Sequence, residues 1–277
     1  MELAGGRALL TGATGGLGRA IANDLAAQGA TVLLSGRQRE ALAELASSLP
    51  GSGHAVLPAD LGDPGAAAAL AAASIATAGG VDVLVANAGL PGTGWLPDVS
   101  EEQIERTLRV NLEAPIILAR ALTPAMVERG AGALVFVASL SGKAASPRSS
   151  IYNATKFGLR GFAFGLRTDL GPRGVGVSVV SPGFVRDAGM FAKSGAATPP
   201  GIGTSSPEDI GKAVIRAIRS NRAEIVVAPP IPRALSHFAT ISPAISARVQ
   251  SAPLGQKAAE EVSAGHAARE AAERENK

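Results

Sequence analysis

From Arg7 to Val227, short runs rich in Val and Leu alternate with Ala-rich stretches, and this alternation constrains the chain more than any other feature. Candidate strands lie at 7–10, 31–34, 55–58, 81–86, 133–138, 175–180 and 224–227, none with strict polar alternation. A strand with one wet face must alternate, whereas a strand covered on both faces can be apolar throughout. The pattern therefore predicts an α/β fold: a doubly wound, parallel seven-stranded sheet with helices on both faces. The separating stretches carry helix signals of their own. Ser100 with Gln103 forms a capping-box pattern, and Ser206 followed by Pro207, Glu208 and Asp209 gives an N-cap, a first-position proline and acids in the first turn. After that second cap, Ile210, Ala213, Val214, Ala217 and Ile218 recur at helical spacing and predict one buried stripe. By contrast 187–206, loaded with Gly, Ala, Ser and Pro, keeps no period and reads as a mobile loop or lid.

A chain of 277 residues supports one sizeable domain, placed here at 1–254, with a polar tail at 255–277 that is either a solvated helix or disordered. With no cysteine there is no disulfide, thiol nucleophile or thiolate zinc site, and His54, His237 and His266 are too scattered to suggest a metal. The net charge of +3 is mild and spread out, and 3% aromatic residues leave little for bases to stack on, so nucleic acid is not an expected partner. The N-terminus lacks a basic region leading into an apolar stretch, and the most apolar segment, around 225–245, is broken by Pro229, Pro230, Pro232, Arg233, His237 and Pro243. A cytoplasmic protein without membrane contact is the expectation.

The first strand runs into Thr11-Gly12-Ala13-Thr14-Gly15-Gly16-Leu17-Gly18, and a helix opens after it. A turn without side chains lets backbone N–H groups approach a pyrophosphate, and the helix N-terminus adds partial positive charge. The string fits both a TGxxxGxG and a GxxGxxG spacing, so the loop alone does not choose between subtypes of dinucleotide fold. No lysine follows as in a nucleotide-triphosphate loop. The second strand ends at Ser35-Gly36-Arg37, where a carboxylate would hold the ribose 2′-hydroxyl of NAD and a cation would accept the 2′-phosphate of NADP. Gly36 and Arg37 meet the second condition and predict NADP(H) in preference to NAD(H), although an arginine there can also simply begin a surface helix.

Tyr152 and Lys156 stand four residues apart, hence on one helix face and one turn from each other. Hydride arriving at a carbonyl carbon leaves an alkoxide that needs a proton. A phenol with an ordinary pKa near 10 can exchange that proton at neutrality only if a nearby cation favours its phenolate. Lys156 is placed to supply that charge. Ser139 follows the fifth strand, where its hydroxyl can polarise the substrate oxygen. Taken singly, a Tyr/Lys pair also occurs on exposed amphipathic helices and a serine after a strand is a common turn former; their conjunction behind a dinucleotide loop is what points to chemistry. Asn111 lies within the helix that starts after Ser100. Because Pro115 has no N–H, the Asn111 carbonyl must find another donor, which predicts a water site.

With these residues in hand, the chain resembles the short-chain dehydrogenase/reductase family in its shorter, single-domain form, with a Rossmann-like fold. The resemblance implies that the loop from Gly12 through Thr14, Gly15, Gly16, Leu17 and Gly18 binds pyrophosphate, and that Asp60 and Leu61 flank the adenine. It implies that Asn87, Ala88 and Gly89 brace the central sheet beside the cofactor, and that the segment holding Pro182, Gly183 and Val185 closes over the nicotinamide. It names Asn111, Ser139, Tyr152 and Lys156 as the catalytic set, with the Asn111 carbonyl holding water in a relay through Lys156. It also implies a homodimer or homotetramer paired through the helices of Asn111 and Tyr152. Two departures stand out: Arg186-Asp187 replaces a threonine common after the Pro-Gly turn, and the glycine loop lacks a basic residue near Gly15.

The resulting expectation is hydride transfer between NADP(H) and a ketone, aldehyde or secondary alcohol, without a metal. Leu90, Trp95, Leu140, Phe184, Met190 and Phe191 are candidate pocket residues and favour an apolar small-molecule substrate. A cofactor-binding scaffold without turnover, or an isomerase or dehydratase on the same fold, stays open at this stage.

Overall fold

Strands buried on both faces must feed two cores, because successive side chains point to opposite sides of a sheet. The computed structural model, which describes residues 1–198 and 202–275, has this arrangement. Seven strands, β1 (Arg7–Thr11), β2 (Thr31–Gly36), β3 (Ala55–Pro58), β4 (Val83–Ala86), β5 (Gly132–Val137), β6 (Val175–Pro182) and β7 (Glu224–Val227), form one all-parallel sheet in the order 3-2-1-4-5-6-7. Each lies where the apolar runs placed it, to within two residues. Helices α1 (Gly16–Ala27), α2 (Arg39–Ser48) and α8 (Pro207–Ser220) cover one face; α3 (Ala66–Ala78), α4 (Glu101–Leu108), α5 (Ala114–Arg129) and α6 (Ser150–Leu170) lie on the other. Along β1, Ala8 and Leu10 pack with Ile21, Leu25 and Val214 on the first side, and Leu9 packs with Leu70, Leu118 and Leu159 on the second.

Strand order reverses between β1 and β4, which opens a crevice at the carboxyl ends of the strands, the usual ligand position in such sheets. The glycine loop, the β4 exit at Asn87 and the β5 exit at Ser139 all lie on that edge.

Both capping boxes are present, Ser100 with Gln103 and Ser206 with Asp209, and the predicted stripe of α8 is buried throughout. The helical run Glu101–Arg129 is long and apolar enough to cross a membrane, yet Leu118, Ala119, Leu122 and Met126 of it are packed under the sheet. Its hydropathy belongs to the core.

Two expectations are corrected. The run from Ser100 is not one uniform α-helix: residues Arg109–Glu113 form a π-turn, with Ala114 N–H donating to Arg109 O. Pro115 accounts for it, since Asn111 O has no donor four residues on and the chain widens to i→i+5 bonding. The stretch 187–206 is not structureless, for it contains α7 (Gly189–Ser194), while 199–201 lie outside the described residues. After β7 the chain continues as α9 (Pro230–Ile241), α10 (Pro243–Gln250) and α11 (Pro253–Glu275); of the two readings of the tail the helical one is seen, and α11 packs on α7, where a Cβ on Gly265 would run into Ser194 O.

Candidate active site

The glycine loop is shaped by contacts that side chains would block. Gly12 has φ +66°, and a Cβ there would come within 2.9 Å of Ala88 Cα; a Cβ on Gly18 would strike Gly12 O. Gly15 is the extended N-cap of α1 and no side chain caps that helix, so its first-turn N–H groups face the crevice without a side-chain acceptor. Gly16 and Leu17 lie against Ala188 and Gly189 at the start of α7. Thr14 flanks Gly36: its Oγ1 would be 3.4 Å from a Cβ on Gly36. These observations fit a dinucleotide phosphate cradle.

Arg37 is exposed and close enough to Asp60 to help hold that carboxyl ionised. Asp60 is not free to contact a ligand with both oxygens. Its Oδ1 accepts Gly62 N–H at 2.8 Å and its Oδ2 pairs with Arg106 at 2.6 Å; although burial opposes ionisation, these bonds hold it below its usual range. Leu61 beside it is buried.

Asn87 bridges the loop and the sheet: its side-chain amide donates to Thr11 O at 3.1 Å and Gly12 O at 3.2 Å. Thr11 Oγ1 in turn accepts from Asn87 N–H and Ala88 N–H, both at 3.1 Å. Thr11 is thus the buttress of the loop, a role that its place as the last strand residue only hinted at. A Cβ on Gly89 would stand 3.0 Å from the flexible end of Met190, 3.5 Å from Asn111 Oδ1 and 3.8 Å from Lys156 Nζ.

Asn111 is 0% exposed, contrary to the solvent-facing position that an asparagine within a helix usually takes. Its side chain reads both backbone groups of Leu90, accepting N–H at 2.7 Å and donating to O at 2.9 Å, and it also donates to Thr155 Oγ1 at 3.3 Å. Thr155 donates in turn to Tyr152 O at 2.8 Å, which ties the π-turn to the tyrosine turn of α6.

The hydroxyl of Ser139 is near enough to the phenol of Tyr152 to oppose the rise in its pKa, and Lys156 Nζ lies 5.6 Å from the Tyr152 ring centroid. Ser139 Oγ also accepts Ser141 N–H at 3.1 Å, which fixes its rotamer. The three side chains converge. Their electrostatics differ from expectation, however. Burial pushes Tyr152 up to about 12, against the opposing pull of the Ser139 hydroxyl, and burial pushes Lys156 down to about 8. Lys156 is only 3% exposed and donates to Val137 O at 3.0 Å, so its charge is spent on a carbonyl instead of the phenol oxygen.

Pro182 ends β6, and Gly183 N–H donates to Val227 O at 2.9 Å; a Cβ on Gly183 would meet Leu140 at 3.3 Å. Val185 is buried and bridges Ser205. Among the apolar candidates, Phe184 and Phe191 pack with ring centroids 4.5 Å apart, whereas Trp95 is 56% exposed and has the Arg148 guanidinium 4.9 Å from its ring. The tail reaches this region. His266 Nε2 donates to Met190 O at 2.9 Å, and because a carbonyl only accepts, Nδ1 is left to accept from Thr93 Oγ1 at 2.9 Å. Burial lowers the His266 pKa, in keeping with that neutral ring.

Residues 7–198 match the family profile described as short chain dehydrogenase. A ketoacyl reductase of Nostoc, HetN, is 36% identical over 227 residues, spanning 81% of this chain and 79% of that protein. Dehydrogenase/reductase SDR family member 7B of Bos taurus is 32% identical, over 87% of this chain and 79% of its own. Among solved structures, a metagenomic short-chain oxidoreductase in complex with NADP superposes with TM-score 0.70 at 31% identity, covering 83% of this chain and 99% of that one. A short-chain dehydrogenase from Streptomyces avermitilis gives TM-score 0.75 at 26% identity, covering 90% and 96%. Sheet order, glycine loop and profile agree: the chain belongs to the short-chain dehydrogenase/reductase family, oxidoreductases of carbonyl and alcohol groups.

Proposed function

We propose that this protein reduces a ketone or aldehyde with NADPH, with Tyr152 as the proton donor. The reading is carried by the convergence of Ser139, Tyr152 and Lys156 at the strand-end edge, with Lys156 Nζ 5.6 Å from the Tyr152 ring and Ser139 near its phenol. Gly12, Thr14, Gly15, Gly16, Leu17 and Gly18 would hold the pyrophosphate, Gly36 and Arg37 the 2′-phosphate, and Asn87, Ala88, Gly89, Pro182, Gly183 and Val185 the nicotinamide half. A bound nicotinamide dinucleotide supplies the hydride.

Ser139 orients the substrate oxygen while Tyr152 keeps its proton until that oxygen becomes basic. A phenol pushed up to about 12 is fully protonated at neutral pH, and a developing alkoxide is a far stronger base than a phenolate. Oxidation of an alcohol requires the phenolate and pays the cost of ionising a desolvated group. This environment therefore favours reduction, and Lys156 assists the phenol only when its Nζ leaves Val137 O. Asn111 acts by holding Leu90 and the Tyr152 turn in place.

The packed rings of Phe184 and Phe191, with Leu140 beside Gly183, support an apolar substrate. An apolar hollow between α5 and α6, lined by Ile116, Pro124, Val127, Phe162 and Leu166, supports pairing of two chains through those helices.

The test is NADPH oxidation across a panel of ketones and aldehydes. Wild type should turn over at least one, and Tyr152→Phe should lower kcat by about 10²–10⁴-fold with NADPH affinity kept. Turnover that survives the loss of the phenolic oxygen would end the proposal.

A further inference from the structure

Beyond the crevice, the outer face of α9 and α10 carries large apolar side chains with no cover. Ile231, Leu235, Phe238, Ile241, Ile245 and Val249 are all exposed, Ile241 at 82%. In α9 Ile231, Leu235, Phe238 and Ile241 recur every three or four residues and form one stripe, and Ile245 and Val249 stand one turn apart on α10, while Ser236 and Ala239 of α9 are buried against the body. Soluble surfaces rarely present so much contiguous apolar area without a partner. Along the segment itself the charge has one sign: no acidic residue occurs between Glu224 and Glu260, while Arg233, Arg248 and Lys257 fall in that interval.

We propose that the α9–α10 face lies on an anionic lipid bilayer, with the apolar stripe set among the acyl chains and the cations among the headgroups. An amphipathic segment with an apolar face and basic flanks is suited to rest in that interface. A second copy of this chain fits less well, because a self-complementary contact across the stripe would bring the cations of one segment toward those of the other with no acid in the segment to neutralise them. Such contact departs from the expectation of no membrane contact, which rested on the lack of an unbroken apolar segment and not on the surface of these helices.

The place of the face in the fold gives it a use. The inner side of α9 meets the turn after Ser139, where His237 Nδ1 is 3.4 Å from Lys143 Nζ. The stripe is therefore joined through one helix thickness to the edge of the candidate site, and a bilayer there would offer apolar substrates at the mouth of the crevice.

The experiment is cosedimentation of the full chain with vesicles of phosphatidylcholine alone or mixed equally with phosphatidylglycerol. Binding is expected to the anionic vesicles, to weaken in high salt, and to drop about thirty-fold for Arg233→Glu/Arg248→Glu. Leu235→Asp/Ile241→Asp should abolish it. All four sites are on the helix surface, and unchanged circular dichroism and melting confirm that the variants fold. Absence of wild-type binding, or binding kept in both variants, overturns the proposal. So does a wild-type dimer, measured by light scattering, that Leu235→Asp/Ile241→Asp converts to monomer, since the occupant is then a second copy. None of these outcomes depends on turnover.

Discussion

Lys156 sets the pH behaviour of the site. Its folded value near 8 lies well below the ordinary lysine value of 10.5, so between those two pH values the unfolded chain binds a proton that the folded chain does not. Stability must then rise with pH across that window and carry a constant penalty below it. Urea midpoints measured at about pH 7.5 and about pH 10 should differ in this direction for wild type, and Lys156→Met should remove most of the rise. A wild-type midpoint that falls over the same interval would show that Lys156 stays charged in the fold. Arg37 carries the proposed cofactor choice at the same scale. Exposed and set beside the second-strand exit, it would give the 2′-phosphate charge-assisted bonds worth roughly 1.5–3 kcal/mol. Arg37→Ala should therefore weaken NADPH by about ten- to a hundred-fold and leave NADH almost unchanged, as read by fluorescence titration. Equal losses for both cofactors would remove Arg37 from the site.

At the scale of elements, the π-turn at Arg109–Glu113 and the start of α6 act as one unit through Asn111 and Thr155. Asn111 satisfies both backbone groups of Leu90, which sits between Gly89 and the substrate side. Asn111→Ala strands those groups in a largely buried place and should cost about 1–3 kcal/mol by chemical denaturation. A change below a few tenths would mean that water replaces the amide without loss. The contact of α11 with α7 has a similar character. His266 fixes Met190 O and Thr93 together, so the stretch that reads as a lid in sequence is held at one end by the tail.

For the whole molecule, Glu224 is the junction that keeps the catalytic edge in register. Its carboxylate accepts from Lys143 at 3.1 Å, from Arg160 at 3.0 and 3.1 Å and from Ser181 at 3.0 Å, joining the turn after Ser139, helix α6, β6 and β7. Burial opposes its ionisation, yet these donors hold it below the usual glutamate range. Removal of the carboxylate leaves Lys143 buried without its counter-ion, so Glu224→Ala should cost about 3–5 kcal/mol. Lys143→Met in the same background should recover part of that loss, which a thermodynamic double-mutant cycle would measure. Additive losses would mean that the two residues act separately.

Much of this was legible in the amino-acid order, because local physics writes itself into local pattern. Unbroken Val/Leu runs marked strands buried on both faces, Ser100 and Ser206 announced their helices, and Gly12, Gly16 and Gly18 fell where only a hydrogen atom fits. The Tyr152–Lys156 spacing put two ionisable groups on one helix face without knowledge of what surrounds them. Tertiary structure alone decided the rest. The pKa values of Tyr152 and Lys156 move in directions set by burial, and burial is a property of everything that packs around them. Asp60 meets Arg106, Asn111 meets Leu90, Glu224 meets Lys143 and His266 meets Met190 across separations in sequence that carry no periodic signal. Such pairings depend on the path of the whole chain through space, and no window of residues contains that path.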